Sequence, residues 1–258
     1  MIIRDKMIID THMHIYDKKY NNEQLQVIEQ SLALGVTKMI AVGCDYKTSL
    51  AAIKLANEYD FIYAAIGLHP SDSKYETDLS LSWIEDLLKQ SNKIIAIGEI
   101  GLDYYWDKDN KDSQKEFFIK QIVLAKKHNL PIIVHSRDSI SDCYEILKNN
   151  PIKGVMHCFS SSVEMAKEFV KLGMYIGVGG VVTFKNSKEI KEVVKTIDMN
   201  YILSETDSPY LTPEPYRGKL NIPGYTKYVV DAIAALKELP KETVINTIEQ
   251  NVKDLFKI

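Results

Sequence analysis

Three cysteines, Cys44, Cys143 and Cys158, are all that the chain has, and none stands in a CxxC pair. An odd number of widely spaced thiols supports neither a disulfide framework nor a cysteine zinc site, so they read as free thiols. Long apolar runs are missing too: no uncharged stretch approaches the roughly 18 residues needed to span a bilayer. The opening MIIRDKMIID carries charges at positions 4, 5 and 6 that interrupt the apolar core of a signal peptide, so a cytoplasmic protein is expected. Nor is there a basic excess. Net charge is −3 with the two signs interspersed, which gives no broad electrostatic footprint for nucleic acid. A polyanionic substrate would need a local grip, from a few basic groups or from metal ions. With no low-complexity segment, charge block or Pro/Gly/Ser-rich linker, residues 1–258 are expected to form a single domain, with nothing to suggest an obligate partner.

What is present is a recurring unit: a short apolar run, a polar loop, then a helical pattern. The strand-like runs are MIID, KMIAVG, FIYAAIG, KIIAIGE, PIIVHS, GVMHCF, MYIGVGG and YILSET. Most are uniformly apolar, as parallel strands covered on both faces should be. Amphipathic stretches such as SLAAIKLANEY, SQKEFFIKQIVLAKKH and SKEIKEVVKTID lie between them, and YVVDAIAALKEL and KETVINTIEQNVKDLF close the chain. Eight strands alternating with helices over this length predict an α/β fold, a (β/α)8 TIM barrel. A doubly wound open sheet is the competitor, but no GxGxxG follows the first strand.

The unusual polar residues share one register in these units. His12 and His14 follow the first run, Glu99 ends the fourth, His135 and His157 end the fifth and sixth, and Asp207 follows the eighth. Alternation along an extended chain points His12 and His14 to the same side. In a barrel the C-terminal strand ends converge on one face, where active sites are built. One such residue is an ordinary loop hydrogen-bonder; six in one register are better explained together. Imidazoles mixed with carboxylates suit Zn²⁺ or Mn²⁺, whereas Mg²⁺ usually prefers oxygen. Six ligands exceed what one tetrahedral ion uses, so two ions with a bridging carboxylate are expected, an arrangement matched to in-line displacement at phosphorus. His69 in IGLHP belongs to the same face, as a substrate contact or a loop anchor. His128 in KKHNLP reads as structural, a cation near a helix C-terminus.

Carried by DTHMH, IGLHP, AIGEIGLDYY, PIIVHSRD, MHCFS, ETDSPYLTP and YRGKLNIP, the chain resembles the TatD family of metal-dependent deoxyribonucleases, within the amidohydrolase superfamily. The resemblance implies that His12, His14 and Asp207 hold one divalent ion (Mg²⁺, Mn²⁺ or Zn²⁺), that His135 and His157 hold the other, and that Glu99 bridges them. It also implies a DNA substrate, single-stranded or at strand ends, attacked by a metal-activated water, with exonuclease action expected. Glu99 and Asp207 are then the catalytic carboxylates, Asp207 as the group that orients the water or takes its proton. His69, Arg137 and Arg217 are candidate substrate contacts, since a guanidinium fork matches phosphate oxygens. For Arg137 a salt bridge to Asp138 or Asp103 competes. Tyr104, Tyr105 and Trp106 offer a possible stacking surface for unpaired bases, or else a packed wall.

The chain departs from the family pattern in two places. RGKLNIP replaces the common RGKRNEP, putting Leu220 and Ile222 where a basic and an acidic residue are usual, and Ser161 stands for the glycine of HCFSG. Both bear on substrate grip rather than on the expected ligands. Two other functions fit parts of the pattern. One is a superfamily hydrolase acting on a C–N or ester bond; many of these bridge their ions with a modified lysine where this chain has Glu99. The other is a barrel that binds metal or nucleic acid without turnover, for which loss of a ligand would be the signature.

Overall fold

Each of the eight apolar runs becomes a strand in the computed structural model, which describes residues 7–258. The charges at positions 4, 5 and 6 lie outside the described residues. The strands are β1 Ile8–Met13, β2 Val36–Val42, β3 Ile62–Ile66, β4 Ile94–Asp103, β5 Ile132–Arg137, β6 Gly154–Met156, β7 Met174–Val178 and β8 Ile202–Ser204. They pair in chain order, every neighbour parallel. Between and after them lie α1 Gln24–Ala33, α2 Tyr46–Glu58, α3 Ser82–Leu88, α4 Lys111–Lys127, α5 Ile140–Asn149, α6 Val163–Lys171, α7 Lys188–Thr196, α8 Thr226–Lys237 and α9 Lys241–Phe256. The expected (β/α)8 barrel is what forms. Its strands are Ile-, Val- and Ala-rich because both of their faces are buried, one in the barrel and one under the helices. Among the described residues no helix is long and apolar enough to cross a membrane.

The β8–β1 seam is closed differently from the others. Asp207 N–H donates to the His12 carbonyl at 2.9 Å and His14 N–H to the Ser208 carbonyl at 2.8 Å. Below them the buried Asp10 carboxylate accepts from His12 N–H (3.2 Å), Thr206 N–H (2.9 Å) and the Thr206 hydroxyl (2.6 Å). Closure therefore fixes His12, His14 and Asp207 relative to one another.

Three strands differ from expectation, the first being β1, which runs to Met13 and so contains His12. β4 continues past Glu99 to Asp103, wholly buried, so Glu99 lies within the strand rather than at its end. β5 likewise runs two residues beyond His135. Against β5, β4 shifts register between Ile97 and Ile100, and such an irregularity re-aims a side chain. Gly101, at φ +136°, follows the shift. A Cβ there would lie 2.1 Å from the His135 carbonyl oxygen. Gly101→Ala should therefore cost about 2–3 kcal/mol, the scale of a forced backbone conformation plus clash. Urea unfolding of the two proteins measures it, and a loss under about 0.5 kcal/mol, the scatter of neutral surface changes, would refute the close-approach account.

Candidate metal centre

At the C-terminal mouth of the barrel His12, in β1, and His14, just after it, do share a side. His12 Nε2 lies 3.2 Å from His14 Nε2. Glu99 Oε2 is 3.3 Å from His12 Nε2 and 3.7 Å from His14 Nε2. Asp207 Oδ1 is 3.4 Å from His14 Nε2, 3.6 Å from His157 Nε2 and 3.9 Å from His12 Nε2. The other Glu99 oxygen, Oε1, faces His135 Nδ1 at 2.8 Å and His69 Nε2 at 3.7 Å. One buried carboxylate thus stands between two pairs of imidazoles.

Neighbours fix the rings. His14 Nδ1 reaches the Val42 carbonyl at 2.9 Å. A carbonyl only accepts, so Nδ1 carries the proton and the Nε2 lone pair points into the cluster. His135 is held from behind by Asp103, whose Oδ2 lies 3.0 Å from Nε2. His69 is arranged the other way. Its Nδ1 accepts from Ser71 N–H at 3.2 Å, which leaves the hydrogen on Nε2, facing Glu99. His69 is therefore a donor into the site and a loop anchor at once. His157 stacks on His12 with centroids 3.5 Å apart, and its Nδ1 lies 3.1 Å from Glu205 Oε1.

Burial raises the Glu99 carboxyl, but His12, His69 and His135 more than offset it and hold it well below the usual carboxylate range. Asp207 behaves alike: burial opposes ionisation, and His14 and His157 prevail. Burial, reinforced by His135, drives His69 down to about 3, so it is neutral at any physiological pH. His12 is also lowered, first by burial and then by His157. His135 moves the other way, to about 9, because Asp103 and Glu99 outweigh its burial.

The donor set fits a divalent cation. Among the described residues, three groups bring ligand atoms within 4.8 Å of one another: His12–His14–Glu99, His69–Glu99–His135 and His12–His157–Glu205. None of the three pairs His135 with His157. Glu99 and Asp207 have no lysine or arginine within salt-bridge distance among the described residues, only imidazoles. Three polar atoms buried in the third group, His12 Nδ1, His157 Nδ1 and Glu205 Oε2, lack a properly aligned hydrogen bond. Buried imidazole nitrogens and carboxylate oxygens facing one another are what a cation satisfies, displacing any protons they hold.

The remaining candidates lie on the rim or in the walls. Arg137 and Arg217 are exposed, and among the described residues neither pairs with a carboxylate. The Arg137 guanidinium lies 4.0 Å over the Tyr105 ring and that of Arg217 4.1 Å over Phe184. Asp103, the salt-bridge partner considered for Arg137, is engaged by His135 instead. Tyr104 is wall, its hydroxyl 2.6 Å from Asp142, whereas Tyr105 and Trp106 are exposed. His128 caps the end of α4 and meets Glu85 at 3.0 Å. Ile222 is buried, so its apolar side chain serves the core, while Leu220 stays exposed. Sequence reasoning passed over Asp10 and Glu205, and named Asp103 only as a salt-bridge partner for Arg137. Glu205 also accepts from Cys158 N–H at 2.6 Å, which ties the segment after β8 to that after β6.

Imidazoles and carboxylates gathered at the strand ends of a (β/α)8 barrel define a metal-dependent hydrolase. The chain belongs to the family of TatD-related DNases, whose model matches residues 9–257. It is 48% identical over 255 residues to YabD of Bacillus subtilis, covering 98% of this chain and 100% of that protein. With YcfH of Escherichia coli K12 it shares 33% over 259 residues, 97% of this chain and 96% of that one. Both relatives are described as uncharacterized metal-dependent hydrolases. The crystal structure of YjjV, a TatD homologue from Escherichia coli, matches with a TM-score of 0.92 at 30% identity, covering 97% of this chain and 98% of that one.

Proposed function

We propose that this hydrolase is a deoxyribonuclease that uses two divalent cations (Mg²⁺, Mn²⁺ or Zn²⁺) and shortens single-stranded DNA or strand ends as an exonuclease. The observation that carries the reading is the Glu99 carboxylate, with two imidazoles toward each oxygen and, among the described residues, no lysine or arginine beside it. His12, His14 and Asp207 would hold one cation, His135 and His157 the other, with Glu99 between them. Bound there, the cations supply Lewis acidity toward phosphoryl oxygens and make a water acidic enough to serve as nucleophile near neutral pH.

The chain's own groups do the rest. Asp207, held ionised and turned toward three imidazoles, orients the attacking water and takes its proton. His69 offers its Nε2 hydrogen to a phosphoryl oxygen, a role open to it because burial keeps the ring neutral and Ser71 fixes its tautomer. Asp103 keeps the His135 ring aimed, and Glu205 sets a carboxylate beside His157. Arg137 and Arg217 reach phosphates on either side. Every group named comes from one chain of one domain, and the protein is read as a cytoplasmic monomer.

Chelation with EDTA should lower hydrolysis of single-stranded DNA by at least about 100-fold, the scale of a lost electrostatic stabiliser, and adding back one of the three metals should restore it. Oligonucleotides labelled at either end should release mononucleotides progressively from one terminus. Internal cuts would replace the exonuclease reading with an endonuclease. Hydrolysis of cyclic amides, esters or phosphotriesters with DNA left intact would transfer the site to the C–N or ester class.

A further inference from the structure

The loop after β4 carries two large rings that the barrel leaves uncovered. Trp106 is 66% and Tyr105 49% exposed, although both follow a strand buried along its whole length. The loop that displays them is held firmly. Asp103 Oδ1 accepts Tyr105 N–H at 3.0 Å and Trp106 N–H at 2.9 Å. The buried Gln114 side chain accepts from Asp103 N–H at 2.8 Å and donates to the Asp103 and Asp107 carbonyls, each at 3.0 Å. Exposed apolar rings on a fixed loop suit binding better than packing, because ordering them costs nothing further when a ligand arrives.

Their position relative to the centre is set by a single carboxylate. The Asp103 oxygen opposite the one that fixes the loop is 3.0 Å from His135 Nε2, and His135 Nδ1 is 2.8 Å from Glu99. The shelf is thus one carboxylate and one imidazole from the middle of the site. Arg137 completes it. The guanidinium lies 4.0 Å over the Tyr105 ring and 5.4 Å from the Trp106 centroid, so stacking rather than an acid holds it. A guanidinium held in this way keeps its donors for a phosphate.

We infer that Trp106, backed by Tyr105 and Arg137, is the shelf on which an unpaired base stacks beside the phosphodiester to be cut, with Arg137 taking a neighbouring phosphate. The inference rests on the nuclease reading and names the residues that would recognise its unpaired bases. A base within a duplex has both faces covered by its neighbours, whereas an unpaired base has a face free for an indole. Every base has such a face, so the shelf selects for single-strandedness and is indifferent to sequence.

The test pairs Trp106→Ala with a substrate lacking bases. Trp106→Ala should raise KM for a single-stranded oligonucleotide about tenfold, the scale of one lost base–aromatic stack, and Trp106→Phe should recover most of it. An oligonucleotide with abasic residues at the cut end should cost the parent enzyme the same factor, and Trp106→Ala should add nothing on that substrate. Independent losses that multiply, or an unchanged KM, would overturn the shelf. Fluorescence gives a readout that needs no cleavage. Trp83 is the other of only two tryptophans, so Trp83→Phe leaves Trp106 as the sole indole reporter. In metal-free protein, single-stranded DNA should quench its emission saturably, and an abasic strand of equal length should not. Base-dependent quenching without cleavage would sink the nuclease reading and keep the shelf. Cleavage without base-dependent quenching would sink the shelf alone.

Discussion

Glu99→Ala should remove DNA hydrolysis almost entirely, by on the order of 10³-fold or more, while the barrel stays folded. Among the described residues the carboxylate is the one group that faces both sides of the cluster, His12 and His14 through Oε2 and His135 and His69 through Oε1. On the two-cation reading, each cation would lose a ligand without it, and the pair would lose the negative charge between them. The fold has less at stake. Glu99 N–H donates to the Gly43 carbonyl at 2.9 Å, and alanine keeps that bond. Bound metal, measured by mass spectrometry after dialysis, should fall below the parent's stoichiometry, and far-ultraviolet circular dichroism should be unchanged. Glu99→Gln, which keeps the volume and drops the charge, should lose nearly as much activity. If Glu99→Ala protein, purified free of contaminating nuclease, digests single-stranded DNA like the parent, the two-cation mechanism is wrong.

Period-two alternation carried much of the site. It pointed His12 and His14 to one side, and the same rule extends to Asp10 on that strand and to Glu205 with Asp207 beyond β8. Asp10 and Glu205 were therefore legible in principle. They were passed over because a lone acid inside an apolar run resembles a strand boundary. The eight strands were legible because their uniform apolarity follows from burial on both faces. The extent of β4 was not. GEIGLD interrupts the apolar run with Gly98, Glu99 and Gly101, and these signal an end unless the irregular register against β5 is known. The division among Tyr104, Tyr105 and Trp106 was also beyond sequence reading. It depends on the Asp103 and Gln114 hydrogen bonds, which turn one ring inward and leave two in solvent.

Asp10→Ala should destabilise the protein by about 3–5 kcal/mol, more than any other single change considered for its fold. The side chain is fully buried in the seam between β8 and β1 and accepts three hydrogen bonds there. Alanine would leave two backbone donors, His12 N–H and Thr206 N–H, without their acceptor, each at about 1–3 kcal/mol. The Thr206 hydroxyl has a partial alternative in the His12 carbonyl at 3.4 Å. Asp10→Asn should cost roughly half as much, since the amide oxygen still accepts from both N–H groups. Burial lifts the Asp10 carboxyl to about 8, against the Thr206 and His12 hydrogen bonds, so burial opposes the uncharged amide less than it opposes an ionised acid. Urea unfolding compares the three proteins. Because the seam also sets His12 against Asp207 through the 2.9 Å backbone bond, activity should fall in the alanine variant even well below its melting temperature. A variant within 1 kcal/mol of the parent, with full activity, would mean that the flanking backbone bonds hold the seam without Asp10.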